Sequence, residues 1–533
     1  MVDDIKMGYI PRTPIYQSEG FTEAEKALKD WCKKTFLSLW SYSNVYRYQR
    51  DGNKEVCDLL VVFEDHIILF SDKCPTNPPV FPLRPDEDKP YVAWNRWFRN
   101  SILKSARQVC GAEKTIQQHE PLFLDPACTQ PFPIELPDPT TAKFHRILIV
   151  HGILEECRKQ TKGSGSLILK PSESNPEPFT IGKISVSNCA PDVYFHVFDD
   201  HSLPIIMGEL NTVTDFVAYL SKKEQLIQNG RLHLAVGEEN LLAYYLQHYN
   251  SQAEHDFSVP ENGDKLPIEA GVWEEFANSS RHKEQLKVNE ESKVWETFIE
   301  SFNLSIFAGE YYFYSSGPAT IVQAEEIMPE RIMRFLARES RVWRRGLVGI
   351  LEDAVRKTPP SGSKNRFVHP KLYDLPELRN PYLYQRTIDD PCYVFVIRSH
   401  GQGEVTSKEK WQEWLKENSL AMKQVYPAAQ DIIALAISKD EQTKTYRIEG
   451  GTYLNARSWS NKQQAYVQHL LKTSPILKNL STQLMYGKEY PDSSSSLKGP
   501  FPFETPILKM KGSERNKPCF CGSGKKYKYC HGR

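Results

Sequence analysis

The sequence predicts a multidomain α/β protein that ends in a small metal-held module. Three observations carry this reading. At 533 residues the chain exceeds a single hydrophobic core, and ~100–200 residues per domain gives roughly three to four domains. Short β-branched apolar runs alternate with stretches of helical periodicity along most of the length. Three of the eleven cysteines stand in the last fifteen residues, a stretch too short to bury a core.

Composition is ordinary for a globular chain, with 40% hydrophobic and 25% charged residues. No apolar run approaches the ~18 residues of a membrane span. The opening MVDDIKMGYI carries two acids and no apolar signal core. No membrane association is expected, and the location is expected to be cytoplasmic. The 67 basic and 67 acidic residues cancel, which excludes a globally basic nucleic-acid binder and leaves room for a local basic surface. The other eight cysteines lie singly between Cys32 and Cys392 without framework spacing, as reduced thiols do.

The first predicted element is a helix over about 22–39. Thr22 and Glu25 form a capping-box pair at its start, and Leu28, Trp31, Cys32, Phe36 and Leu39 follow at helical spacing. Two apolar runs, 56–63 and 66–70, separated by Glu64-Asp65, predict a hairpin of buried strands. A Pro-rich loop leads to a long helix over about 93–118. Its Arg96, Arg99, Lys104 and Arg107 read as a solvated face. The loop 131–141 reads as a boundary. Strands are expected in FHRILIVHGIL, PDVYFHVFDD and LPIIMG, then a helix over about 211–222 and a long helical stretch at 329–355. Strands CYVFVI and IIALAI with helices around Trp411 and Tyr466 follow. The expected domains are thus 1–130, an α/β domain at 140–255, a mainly helical region at 260–385 and an α/β domain at 386–489. A Ser-rich linker (490–512) then tethers the tail (513–533).

The tail carries the strongest chemistry. Cys519, Cys521, Cys530 and His531 supply the four S/N ligands of a closed tetrahedral zinc site. Gly522 and Gly524 permit the turn between ligand pairs. Lys525, Lys526 and Lys528 favour the thiolates. From Lys509 to Arg533 eight Lys/Arg face one acid, Glu514. Metal binding would supply the folding energy of so short a segment. The pattern resembles the SEC-C motif, first recognised at the C-terminus of the SecA translocase ATPase. Cys519, Cys521, Ser523, Gly524, Lys528, Cys530 and His531 all stand at motif positions. The resemblance covers about 20 residues and implies structural Zn2+ and docking of a protein partner. No G-x-x-x-x-G-K-[ST] phosphate loop occurs in the chain.

The predicted hairpin carries the second signal. Asp58 enters a strand that is otherwise apolar on both faces, so its carboxylate must be paired, protonated or bound to metal. The next strand ends in Ser71-Asp72-Lys73, and Glu25 stands on the preceding helix. This order of helix, hairpin and helix over about 20–120 resembles the restriction-endonuclease-like PD-(D/E)XK nucleases. The resemblance implies a mixed sheet flanked by helices, with Mg2+ or Mn2+ held by acids. It assigns Glu25, Asp58 and Lys73 to the site, with Gln108 on the long helix and Glu55 as an added ligand. One departure stands out. The family's second acid precedes the lysine by two residues, a position held here by Ser71. Asp72 is adjacent instead and would face away in a regular strand, unless a bulge turns it.

Other residues have simpler readings. Asp199, Asp200, His201 and Glu209 offer metal-ligating groups but read as turn and surface residues. Arg338, Arg341, Arg344 and Arg345 read as a surface helix face, with phosphate contact the alternative. Gly401-Gln402-Gly403 reads as a turn. Two functions follow. One is a metal-dependent nuclease acting on DNA or RNA, with recognition modules and a docking tail in the manner of bacterial defence proteins. The other is a non-catalytic adaptor on a degenerate nuclease-like fold.

Overall fold

A computed structural model describes residues 15–18, 20, 22–73, 81, 90–174, 177–251, 254–259, 264–307, 313–315, 329–369, 383–384, 389–401, 406–457, 459–472, 476, 487–488, 515–516 and 525–529. Most of the chain falls into two compact units, Ile15–Lys283 and Glu284–Lys517. Both mix helices with sheet. The linker expected at 490–512, the zinc ligands Cys519, Cys521, Cys530 and His531, and Gln402-Gly403 lie outside the described residues.

The first unit opens with α1 (Glu23–Phe36), whose N-cap Thr22 hydroxyl accepts from the Glu25 amide at 3.1 Å. This is the start that the capping pattern predicts. Strands β1 (Ser41–Arg47), β2 (Lys54–Phe63) and β3 (His66–Lys73) follow as an antiparallel meander. The long helix runs as α2 (Pro90–Phe98), a wide π turn (Arg99–Leu103) and α3 (Lys104–Gln117). Beyond β4 (Leu122–Phe123), β5 (Lys143–Val150) pairs parallel with β3 along its whole length, from His66↔Lys143 to Lys73↔Val150. A parallel neighbour needs a long crossover, and the helix and the Pro-rich loop provide it. The boundary expected between 130 and 140 is therefore corrected: one sheet runs through it.

The unit continues with α4 (Leu154–Thr161), β6 (Ile168–Leu169), β7 (Thr180–Ile181), β8 (His196–Phe198), α5 (Ser202–Glu209), α6 (Val213–Gln228), β9 (Leu232–Val236), α7 (Glu238–Gln247), β10 (Leu266–Ile268) and α8 (Val272–Asn278). The main sheet has the order β4-β1-β2-β3-β5-β8, and a smaller one the order β10-β9-β6-β7. The run LPIIMG is helix α5, not the expected strand. Asp199 Oδ1 accepts from the amides of His201 and Ser202 at 3.1 and 2.9 Å, which starts a helix that apolar content alone does not reveal. Cys110 and Cys189 are disulfide-bonded with Cα atoms 5.4 Å apart, which corrects the all-thiol reading for that pair.

In the second unit, α9 (Ser280–Glu291, which begins in the first), α10 (Val294–Phe307), β11 (Phe313–Ser315), α11 (Pro329–Ala337), α12 (Arg341–Arg356), β12 (Ser363–Val368), β13 (Leu383–Tyr384), β14 (Cys392–His400), α13 (Lys408–Val425), β15 (Asp431–Asp440), β16 (Tyr446–Asn455), α14 (Asn461–Lys472) and β17 (Gly487–Lys488) follow in order. Its main sheet is β11-β16-β15-β14-β12. Two of these strands precede the boundary expected at 385, so the helical region and the following α/β region form one unit. Val394, Val396, Ile432 and Ala434 pack with Trp411 and Leu415 of α13 in its core. Arg341, Arg344 and Arg345 of α12 are not a surface face but buried. Arg344 is fully buried, and with Arg341 it grips Glu296 at 2.6 Å. No helix among the described residues is long and apolar enough to cross a membrane.

Candidate active site

Side chains alternate across a strand, so each face of β3 carries its own chemistry. On one face stand Ser71 and Lys73 beside Asp58 of β2, covered by α3. Asp58 is 6% exposed. Its Oδ2 accepts from the Asp72 backbone amide at 2.6 Å, and its Oδ1 accepts from Gln108 Nε2 at 3.0 Å. Lys73 Nζ lies 4.0 Å from Oδ2. The Ser71 hydroxyl donates to Gln108 Oε1 at 3.2 Å, so Gln108 is fixed at both ends of its amide. Burial pushes the Asp58 carboxyl up, while Lys73, the Asp72 amide and Gln108 oppose that.

Asn44 gathers two more acids at the neighbouring edge. Its Nδ2 donates to Glu55 Oε1 at 2.7 Å and lies 3.4 Å from Glu25 Oε2, and its Oδ1 accepts from Ser18 at 2.8 Å. Asn44 has a φ of +52° on a strand whose register shifts between Val45 and Tyr46. Burial raises the Glu55 carboxyl. Asn44 counters this, and the charges of Asp58 and Glu25 add to the rise. Three carboxylates thus share one neighbourhood with Lys73. The donors are oxygens, as Mg2+ and Mn2+ require, and a divalent cation would offset the repulsion.

Asp72 does not join them, which corrects its expected place among the catalytic and metal-binding residues. The β3–β5 register is unbroken to Lys73, so no bulge turns its side chain round. On the opposite face Asp72 Oδ1 meets His151 Nε2 at 2.7 Å, and His151 Nδ1 meets Asp200 Oδ1 at 2.6 Å. Asp200 Oδ2 also accepts from the Gly152 amide at 2.7 Å. The Asp72 side chain is 2% exposed. Burial alone would push the His151 imidazole down, but its bonds to Asp200 and Asp72 carry it up to about 10.

The weaker candidates disperse. Asp199 is bound by the amides of Leu167, His201 and Ser202. Glu209 meets His282 Nε2 at 3.1 Å. Arg99, Lys104 and Arg107 are exposed on the helix, as expected. Sequence reasoning missed Asn44 and His151. It also missed a cluster of two buried histidines, His145 and His196, with half-buried Glu224 on the Asp72 face of the sheet. A histidine inside an apolar strand is the same signal that singled out Asp58.

Residues 515–533 match the SEC-C motif family model. A stretch of 97 residues is 33% identical to the protein translocase subunit SecA 1 of Alkaliphilus metalliredigens (strain QYMF). It covers 18% of this chain and 10% of that protein. No solved structure matches the chain. The tail therefore carries a motif of zinc-binding type.

Proposed function

We propose that the first unit is a divalent-metal-dependent nuclease of restriction-endonuclease-like design, hydrolysing phosphodiester bonds in DNA or RNA. One observation carries this. Asp58, Lys73 and Gln108, from two strands and the helix over them, meet on one sheet face beside Glu55 and Glu25. Asp58 and Glu55 would hold Mg2+ or Mn2+, which when bound polarises the phosphate and lowers the pKa of an attacking water. Lys73 sets an ammonium against the negative charge that grows on phosphate oxygens in the transition state. Gln108 holds the Asp58 carboxylate in place, and Ser71 holds Gln108. Asn44 keeps Glu55 and Glu25 together.

The tail would bind one structural zinc through Cys519, Cys521, Cys530 and His531 and dock a protein partner. A nuclease joined to a docking module suits a role in bacterial defence. The test is cleavage of labelled single-stranded DNA, duplex DNA and RNA with Mg2+ or Mn2+. Asp58→Asn and Lys73→Ala should each lower the rate at least ~10²-fold while circular dichroism is unchanged. Wild-type rates in both variants would place the chemistry elsewhere.

A second reading, a non-catalytic adaptor, draws on one feature. Both Asp58 oxygens already have protein donors, and the acid expected two residues before Lys73 is Ser71. Absence of cleavage by wild type with either metal, in the presence of its cellular partners, would favour it.

A further inference from the structure

On the sheet face opposite Asp58, three residues far apart in sequence converge. His145 comes from β5, His196 from β8 and Glu224 from α6. Their ligand atoms all lie within 4.8 Å of one another. Glu224 Oε1 receives both imidazoles, His145 Nδ1 at 2.9 Å and His196 Nε2 at 2.8 Å. His145 is 2% exposed and His196 fully buried. The surrounding strands are apolar, with Ile147, Ile68 and Phe198 beside them. Two buried imidazoles turned on one carboxylate, which is itself 21% exposed, demand a compensating role.

We infer that His145, His196 and Glu224 form a second, thiol-free metal site that takes a zinc-class divalent ion. Two neutral nitrogens and one carboxylate oxygen are a donor set of borderline softness, the one zinc prefers over magnesium. Bonds of ~2.0–2.2 Å in a tetrahedron set ligand atoms roughly 3.3 Å apart. The two nitrogen–oxygen separations here are a few tenths of an ångström shorter, so admitting an ion asks for a small outward shift. A ligating histidine usually engages its other ring nitrogen, and His145 does: its Nε2 lies 2.9 Å from His66 Nδ1. The rings of His66 and His145 stack at 10°. Tyr194 meets His196 edge-on at 5.0 Å. Lys223, the cation nearest in sequence to Glu224, is engaged by Glu238 and leaves the carboxylate to the histidines. Three protein ligands leave one coordination position for water or a small anion.

The site is distinct from the SEC-C ligands in chemistry, and that makes it testable in the full chain. Untagged Cys519→Ser/Cys521→Ser/Cys530→Ser protein removes the tail's three thiols. After incubation with zinc and gel filtration against a weak chelator, it should retain about one zinc per chain. Cobalt in its place should give tetrahedral visible bands without the thiolate charge-transfer band that the intact tail adds. In that background Glu224→Gln should abolish retention. His66→Gln, which touches no ligand atom that would bind the ion, should weaken affinity ~10–100-fold and keep the fold. Retention of zinc by the Glu224→Gln protein, or none in the Cys519→Ser/Cys521→Ser/Cys530→Ser protein with its circular dichroism intact, would show a hydrogen-bonded triad instead of a metal site. Should Glu224→Gln unfold, the His66→Gln affinity decides: unchanged affinity overturns the proposal.

Discussion

Replacing His151 by Gln removes a cation clamped between Asp72 and Asp200, and the structure bounds the consequence. The imidazole sits at about 10 in the folded chain, against ~6.5 when unfolded. That difference corresponds to an upper bound of about 5 kcal/mol at 1.36 kcal/mol per decade. His151 is 16% exposed, and Gln keeps one hydrogen bond, so about 2–4 kcal/mol is the expected loss. A histidine raised in this way stabilises fully below pH ~6.5, and the contribution fades as pH climbs towards about 10. Urea titration read by pulse proteolysis, scoring cuts within 66–150, isolates the first unit. The difference between wild type and His151→Gln should be largest near pH 6 and shrink by pH 9.5. Asp72→Asn should show a similar loss yet leave nuclease activity of the folded protein in place. A difference that is flat across this range would refute the ion-pair account of His151. Loss of activity in fully folded Asp72→Asn would return that carboxylate to the active site.

Other perturbations have outcomes of known direction. Gly237 has a φ of +95°, and a Cβ there would stand 2.3 Å from Glu239 Oε1. Gly237→Ala should therefore lower stability of the first unit by more than about 1 kcal/mol in the same assay. Glu296→Gln removes the countercharge of two buried arginines and should cost about 3–5 kcal/mol in the second unit, measured by its own urea transition. Deleting residues 513–533 should remove about one zinc per chain, by elemental analysis, and leave the circular dichroism of the rest intact.

The parts of the fold legible in the sequence were those where one local signal decided the outcome. Thr22 capped its helix because a hydroxyl before an amphipathic run has few other uses. The β2–β3 hairpin showed because two β-branched runs flank a polar dipeptide. Asp58 stood out as a lone charge between apolar neighbours, and its burial bears out the demand for partners. What failed was non-local. Nothing within 131–141 reveals that the next strand returns to β3, so a crossover resembled a domain end. The arginines of α12 look like a solvated stripe until Glu296, from another helix, turns them inward. His145, His196 and Glu224 come together only once β5, β8 and α6 are placed.

The π turn at Arg99–Leu103 has a bearing on how α3 is aimed. Buried positions run 97, 101, 105, 109, three consecutive steps of four. At 100° per residue a regular α-helix would precess by about 120° over those steps. The wide turn absorbs part of that precession, so the face that buries Ala106 and Val109 still lies on the sheet. It works as a phase adjuster for everything downstream. Forcing residues 99–103 into regular α winding without changing their number would rotate Gln108 by roughly 90–100° about the helix axis. That would carry its amide off Asp58 and Ser71 without altering any residue of the site.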